Sequence, residues 1–199
     1  MQQVSRWQPG RAVSDGIMGP IELIFISIGL MVTLIALARG YVKELGSSLI
    51  ILVAIFILTF FEDQLTGVLT VVGNALGGGE DGSTTNELLL STIYSLIFIV
   101  IVFGAYSGRT LNFAGTPAPP PQGTLISLLI GLLNGYLIAG TLWYYQHTYN
   151  YPIGQLVTFE NQLTETAQTW VNYLPPTLFD NPVYWIVPVA VLLIIRVRG

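Results

Sequence analysis

The side chains that could do chemistry are few and scattered. Cysteine is absent and His147 is the only histidine among the 199 residues, so neither a thiolate metal site nor a Ser-His-Asp set can be assembled. His147 lies beside Tyr144, Tyr145 and Tyr149, which is typical of anchoring at a membrane interface. We therefore expect no catalytic residue, no metal ligand and no cofactor, and a protein that is not an enzyme.

Two other groups could be mistaken for reactive sites. Residues 77–83 read Gly-Gly-Gly-Glu-Asp-Gly-Ser, but a phosphate loop needs a strand, a helix and a cation, and the acids would repel phosphate. A flexible turn is the better interpretation. Glu44 follows Lys43 and lies near Arg39, which indicates a charge cluster at a helix start rather than a general base. No carboxylate lies in the middle of an apolar segment, where it would suggest ion coupling.

The composition is that of an integral membrane protein. Hydrophobic residues make up 52% of the chain and charged residues 9%, with a mean hydropathy of +0.66, whereas a soluble domain has about 25% charged residues. Because a bilayer core roughly 30 Å thick needs about 20 helical residues, we interpret four apolar segments as spans. They are residues 21–38, 46–61, 88–107 and 125–145, after a polar leader at 1–20. The predicted fold is an all-α, polytopic bundle with four to five transmembrane helices.

The charges are segregated along the chain. A short charged turn joins the first two spans and contains Arg39, Gly40, Lys43 and Glu44. Lys and Arg near span ends are retained in the cytoplasm, so we expect the turn on that side. Residues 62–87 and 146–182 carry acids but no Lys or Arg, and we expect both to be extracytoplasmic loops. The net charge of -4 reflects these loops, and no nucleic-acid partner is expected.

The fourth span has a small-residue pattern. Ser127, Gly131, Gly135 and Ala139 recur every four residues, so they form a stripe that lets another helix approach closely. The stripe could serve folding within one chain or self-association, and the sequence does not decide between them. Asn134 lies near the middle of the same span and should face protein or water, either as an interhelical hydrogen bond or along a pathway.

The last quarter of the chain predicts an outer helix and a short apolar run. Residues 155–174 place apolar side chains at helical spacing, with Trp170 and Tyr173 as interfacial anchors. Residues 176–199 contain a short apolar run that Pro188 should kink and that ends in two arginines. This run can just span the bilayer or enter part-way.

Two of these motifs resemble a known family. Residues 36–45, Ala-Leu-Ala-Arg-Gly-Tyr-Val-Lys-Glu-Leu, resemble the arginine-glycine-aromatic and glutamate turn of the colicin V production (CvpA) family. Residues 131–138, Gly-Leu-Leu-Asn-Gly-Tyr-Leu-Ile, are similar to its glycine-rich fourth span, although Asn134 stands where members often carry a basic residue. The CvpA-like membrane domain covers residues 21–175. The resemblance implies an inner-membrane protein linked to toxin export and envelope maintenance, without enzymatic activity.

Three functions remain open from the sequence. The first is a scaffold of the CvpA type that recruits partners through its stripe, outer helix and charged turn. The second is an accessory subunit of a larger respiratory or photosynthetic membrane complex. The third is a small channel or carrier, in which Asn134 and the hydroxyls of the third span would line a wet path. The expected partners are the lipid bilayer and other membrane subunits or a second copy, with no small-molecule substrate evident.

Overall fold

The described part of the chain is all-α, as the sequence predicts. A computed structural model describes residues 20–75, 82–107, 118–152 and 163–198. Seven α-helices have both ends within these ranges, and no strand occurs there. They are α1 (Pro20–Arg39), α2 (Tyr41–Phe60), α3 (Glu62–Ala75), α4 (Gly82–Ser107), α5 (Gln122–Thr148), α6 (Glu165–Val171) and α7 (Ile186–Arg198).

Four helices are long and apolar enough to cross a membrane. Their apolar stretches are Ile21–Arg39, Tyr41–Phe60, Asn86–Ser107 and Gln122–Thr148, one for each predicted span. Such a set is compatible with a multi-pass membrane protein. The charged turn is tighter than the sequence indicates, because only Gly40 separates α1 from α2. Its φ of 82° lies in the left-handed region that glycine enters without a steric penalty.

The side-chain contacts define two ends of the bundle. At one, the acidic end, hydrogen bonds join Tyr144 to Glu62, Asn150 to Glu87, and Thr164 to Glu22. At the other, the turn end, they join Arg39 to Glu44 and Ala118 to Tyr41. Both ends of the first predicted acid-bearing loop, and Asn150 and Thr164 of the second, therefore lie opposite the charged turn. The side of the membrane on which each end lies stays a prediction.

The core lies where α5 meets its neighbours. Helix α5 packs along α1, α2 and α4, and α7 packs against α2. Helices α2 and α5 are covered on several sides, whereas α1 and α4 leave most of their apolar side chains at least partly exposed. The largest fully buried apolar side chains are Ile51, Ile55, Tyr94, Phe98 and Tyr145.

Helix α3 corrects the prediction of a loop at residues 62–87. Its apolar residues Leu65 and Leu69 recur at helical spacing and pack against the core. Glu62 and Asp63 lie in its first turn, where carboxylates interact favourably with the helix dipole. The acids and the glycine run further along the chain favour a loop, although residues 62–72 contain no proline and only one glycine, Gly67. Most of the predicted turn at 77–83 lies outside the described residues, and α4 begins at Gly82.

The outer helix is shorter than predicted where it is described. Helix α6 begins after Thr164, whose hydroxyl accepts a hydrogen bond from the Ala167 amide and caps the helix. It ends at Val171, before a 3-10 turn at Pro175–Thr177, so the predicted continuation to residue 174 is wrong. Residues 155–162 lie outside the described part of the chain.

The C-terminal run forms helix α7, whose described residues extend less far than an apolar bilayer core is thick. At about 1.5 Å per residue, the 13 residues of α7 extend roughly 20 Å, against an apolar core of roughly 30 Å. A 3-10 turn at Pro182–Trp185 precedes it. Pro188 lies in the first turn of α7 and not in its interior. In the first turn the missing N–H of proline has no acceptor within the helix to lose.

Candidate functional site

A polar cluster lies buried near the turn end of the bundle. Four helices contribute to it: α1 gives one residue, α2 three, and α4 and α5 one each. We call it the turn-end cluster, and its members are Arg39, Glu44, Ser47, Ser48, Tyr106 and Asn134. Only Arg39 and Tyr106 are partly exposed. Buried polar groups cost free energy unless they are paired, so the contacts within the cluster decide its role.

Glu44 is the centre of the turn-end cluster. Its Oε1 accepts from Nη1 of Arg39 at 2.8 Å, and its Oε2 accepts from the Tyr106 hydroxyl at 2.9 Å and from Nδ2 of Asn134 at 3.0 Å. The guanidinium carbon of Arg39 lies 4.5 Å from the centroid of the Tyr106 ring, close enough for a cation–π contact. A fully buried carboxylate thus has a cation and two neutral donors, which offsets its desolvation.

Asn134 is fully bonded within the protein. Its Oδ1 accepts from Ser48 Oγ at 2.6 Å, and besides the Glu44 carboxylate its Nδ2 lies 3.3 Å from the backbone oxygen of Glu44. Both polar atoms of the amide therefore have partners on α2. Of the two alternatives left by the sequence, these contacts match the interhelical hydrogen bond.

The local sequence explains why the turn-end cluster forms. Gly40 reverses the chain within one residue, so the last turn of α1 and the first turn of α2 meet. Arg39 then lies at a helix C-terminus and Glu44 at a helix N-terminus, where each charge is favoured by the helix dipole. The sequence groups these two residues, whereas Tyr106 and Asn134 join them only through packing of α4 and α5 on α2.

The small-residue stripe faces α1 of the same chain. A Cβ on Gly135 would lie 2.6 Å from the backbone oxygen of Gly29 and 2.9 Å from its Cα, and one on Gly131 would lie 2.6 Å from Cβ of Ala36. The two helix backbones are thus in direct contact. Ser127 and Ala139 are also buried. All four stripe residues are covered in the monomer.

A second polar cluster lies at the acidic end, and the sequence did not indicate it. Its members are Glu62, Thr66, Tyr94, Tyr144, Tyr145 and Tyr149, and we call it the tyrosine cluster. The Tyr144 hydroxyl donates to the Glu62 carboxylate, 3.1 and 3.2 Å from its two oxygens. The Tyr94 hydroxyl donates to the Glu62 backbone oxygen at 2.8 Å. Burial raises the pKa of Glu62, partly offset by the Tyr144 hydrogen bond.

The predicted anchors lie near a group of aromatic rings. Trp170 packs against Phe25 and Trp143, with ring centroids 5.8 and 6.4 Å away. Tyr173 is 63% exposed, and its backbone oxygen accepts a hydrogen bond from the Tyr136 hydroxyl. The rings join α6 to the acidic-end portions of α1 and α5.

The remaining sequence candidates form no reaction centre in the described ranges. His147 Nδ1 lies 3.1 Å from the Tyr151 hydroxyl, which accepts from Trp143 Nε1 at 3.0 Å. Glu22 is buried and accepts from the Thr164 hydroxyl. Within the described residues, no group of three or more His, Cys, Asp or Glu side chains could hold a metal ion.

Comparison of the chain with protein-family models, with curated proteins and with solved structures gives no match. The family resemblance of the charged turn and the fourth span therefore stays a prediction from short motifs. The class that the fold defines is an all-α bundle with four helices fit to span a membrane.

Proposed function

We propose that the chain is a non-enzymatic bacterial inner-membrane protein of the CvpA type that scaffolds or recruits partners in envelope maintenance or toxin export. The observation that carries this proposal is the hydrogen bonding of Asn134 to Ser48 and Glu44. An amide that lined a water-filled pathway would leave hydrogen-bond donors or acceptors free for water or for a transported solute. Here they are used to join α5 to α2, so the polar side chains build a fixed frame.

The packing of α1 on α5 supports the same role. Contact between Gly29 and Gly135 leaves no space between the two backbones along the stripe. A channel at that interface would need the helices to separate. The stripe is also occupied within the chain, so recruitment would use other surfaces. Lys43 on the charged turn and Tyr173 after α6 are exposed side chains in different parts of the bundle.

The test is crosslinking from these two positions in the native membrane. A photoreactive residue would replace Lys43 or Tyr173 one at a time, with Leu129, an exposed apolar residue of α5, as the matched control. A scaffold predicts a defined protein adduct from position 43 or 173 that is absent from position 129.

The other functions give different results in the same preparation. An accessory subunit would retain stoichiometric cofactor-bearing subunits during purification in mild detergent. A channel or carrier would produce solute flux in proteoliposomes that Asn134→Leu abolishes. Flux of that kind, or a lone chain without adducts at either position, would refute the scaffold proposal.

A further inference from the structure

Helix α3 is supported along one side only. Leu65 and Leu69 pack against the core, and a Cβ on Gly73 would lie 2.1 Å from Oδ1 of Asn86 on α4. The opposite side exposes Val68 and Val71, at 64% and 69% of their surface. These two valines are three positions apart in a helix, so they lie on the same outward face.

This outward face carries no charge. Both acids of α3, Glu62 and Asp63, lie in its first turn, and residues 64–75 contain neither acid nor base. A helix that faces water normally places charged side chains on its outer surface. Twelve uncharged residues with exposed valines fit a lipid environment better than water. The absence of cations also argues against recognition of anionic headgroups.

The exposed apolar surface is continuous with that of a membrane-spanning helix. Ile57, Phe60 and Phe61 are exposed at the end of α2, and the amide of Leu65 donates to the backbone oxygen of Phe61 at 2.9 Å. The chain therefore passes from α2 into α3 with almost no interruption of helical hydrogen bonding. Lipid that covers the end of α2 would also reach the start of α3.

The depth of α3 follows from its contacts with α4. The Thr66 hydroxyl lies 3.1 Å from that of Tyr94, and Asn74 Oδ1 accepts from Asn86 Nδ2 at 2.9 Å. Helix α3 thus runs antiparallel to the first turns of the α4 apolar stretch, Asn86–Ser107. Thr66 and Asn74 therefore pack beside the acidic-end part of a candidate span.

We propose that α3 is an interfacial helix whose Val68 and Val71 face contacts the acyl chains of neutral lipids at the acidic end. At this end of the bundle a helix then lies against the lipid, where the sequence predicts an extracytoplasmic loop. Lipid there would also cover the outer side of the α3 and α4 pair, next to the tyrosine cluster. This inference does not depend on the scaffold role.

The absence of cysteine allows a clean test with single spin labels. The full chain would be reconstituted in phosphatidylcholine vesicles as Val71→Cys or Val68→Cys, each carrying a nitroxide. Leu129→Cys serves as the lipid-facing control and Lys43→Cys as the water-facing control. Power saturation with oxygen and with a water-soluble nickel chelate measures the environment of each label.

The expected result is a ratio of oxygen to nickel accessibility at position 71 that is close to that at position 129 and clearly above that at position 43. Accessibility mainly to nickel would place the face in water and overturn the proposal. A label inaccessible to both reagents would mean that protein covers the face, which also overturns it. Because both substituted valines are exposed, each variant should elute and melt as the parent does, and position 68 provides an independent repeat.

Discussion

Replacing Gly135 by alanine tests the direct backbone contact between α5 and α1. The new methyl carbon would lie 2.6 Å from the Gly29 oxygen and 2.9 Å from the Gly29 Cα. Both distances are far inside ordinary van der Waals contact, so α1 must move away or strain must remain. Overpacking of this kind costs about 1–3 kcal/mol, and the better helix propensity of alanine returns roughly 0.5–1 kcal/mol. We expect a net loss of about 1 kcal/mol of unfolding free energy, within a range of roughly 0–2.5 kcal/mol.

The structure supplies two matched controls for this substitution. A Cβ on Gly29 would come no closer than 4.0 Å to Gly135, and one on Gly104 in α4 would meet nothing within 4 Å. Gly29→Ala and Gly104→Ala should therefore be neutral or slightly stabilising, although Gly29 is the partner of Gly135. Reversible unfolding in mixed detergent micelles, followed by the fluorescence of the buried Trp143 and Trp185, compares the three variants. Equal stabilities of Gly135→Ala and Gly29→Ala would refute the close packing inferred here.

Two further predictions concern the buried carboxylates. In the turn-end cluster, Arg39→Gln should lower the free energy of unfolding by about 3–5 kcal/mol, because it leaves the Glu44 carboxylate buried without its cation. The double variant with Glu44→Gln should lose less than the sum of the two single variants. Additive effects in this double-mutant cycle would contradict the pairing. In the tyrosine cluster, burial raises the folded-state pKa of Glu62 above its ordinary value of 4.5, so the folded state binds the proton more tightly than the unfolded state does. The free energy of unfolding therefore falls as the pH rises from 4.5 through the raised pKa. The melting temperature of the parent should then fall relative to Glu62→Gln between acidic and neutral pH, and parallel pH profiles would show that Glu62 does not titrate in this way.

The sequence predicts the elements whose signals are local. Apolar segments of sufficient length indicate the four candidate spans, and Gly40 between charged residues indicates the tight turn. The stripe is also local, since its residues repeat every four positions of α5. Its partner on α1 has a weaker signal, because the small residues Gly29 and Thr33 are four positions apart but Phe25 and Leu37 do not extend the repeat. Only the packed structure shows that this glycine lies opposite Gly135.

The buried polar clusters depend on contacts that are distant in sequence. Asn134 and Glu44 are 90 positions apart, and Tyr144 and Glu62 are 82 apart, so no spacing rule connects them. Helix α3 was missed for a different reason. Its uncharged residues are flanked by acids, and these acids favour a loop in the sequence although Leu65 and Leu69 follow helical spacing.

The two clusters also bear on the choice between a scaffold and a carrier. Glu44 lies in the first turn of α2 and Glu62 follows its last turn, and each carboxylate accepts a hydrogen bond from α5. Helix α5 is therefore bound to the start of α2 and to the start of α3, while its small-residue stripe contacts α1. Alternating access would require α5 to rock against these neighbours, which would break at least one buried carboxylate contact in each cycle. The cost of that step supports a bundle that holds its shape and acts through its surfaces.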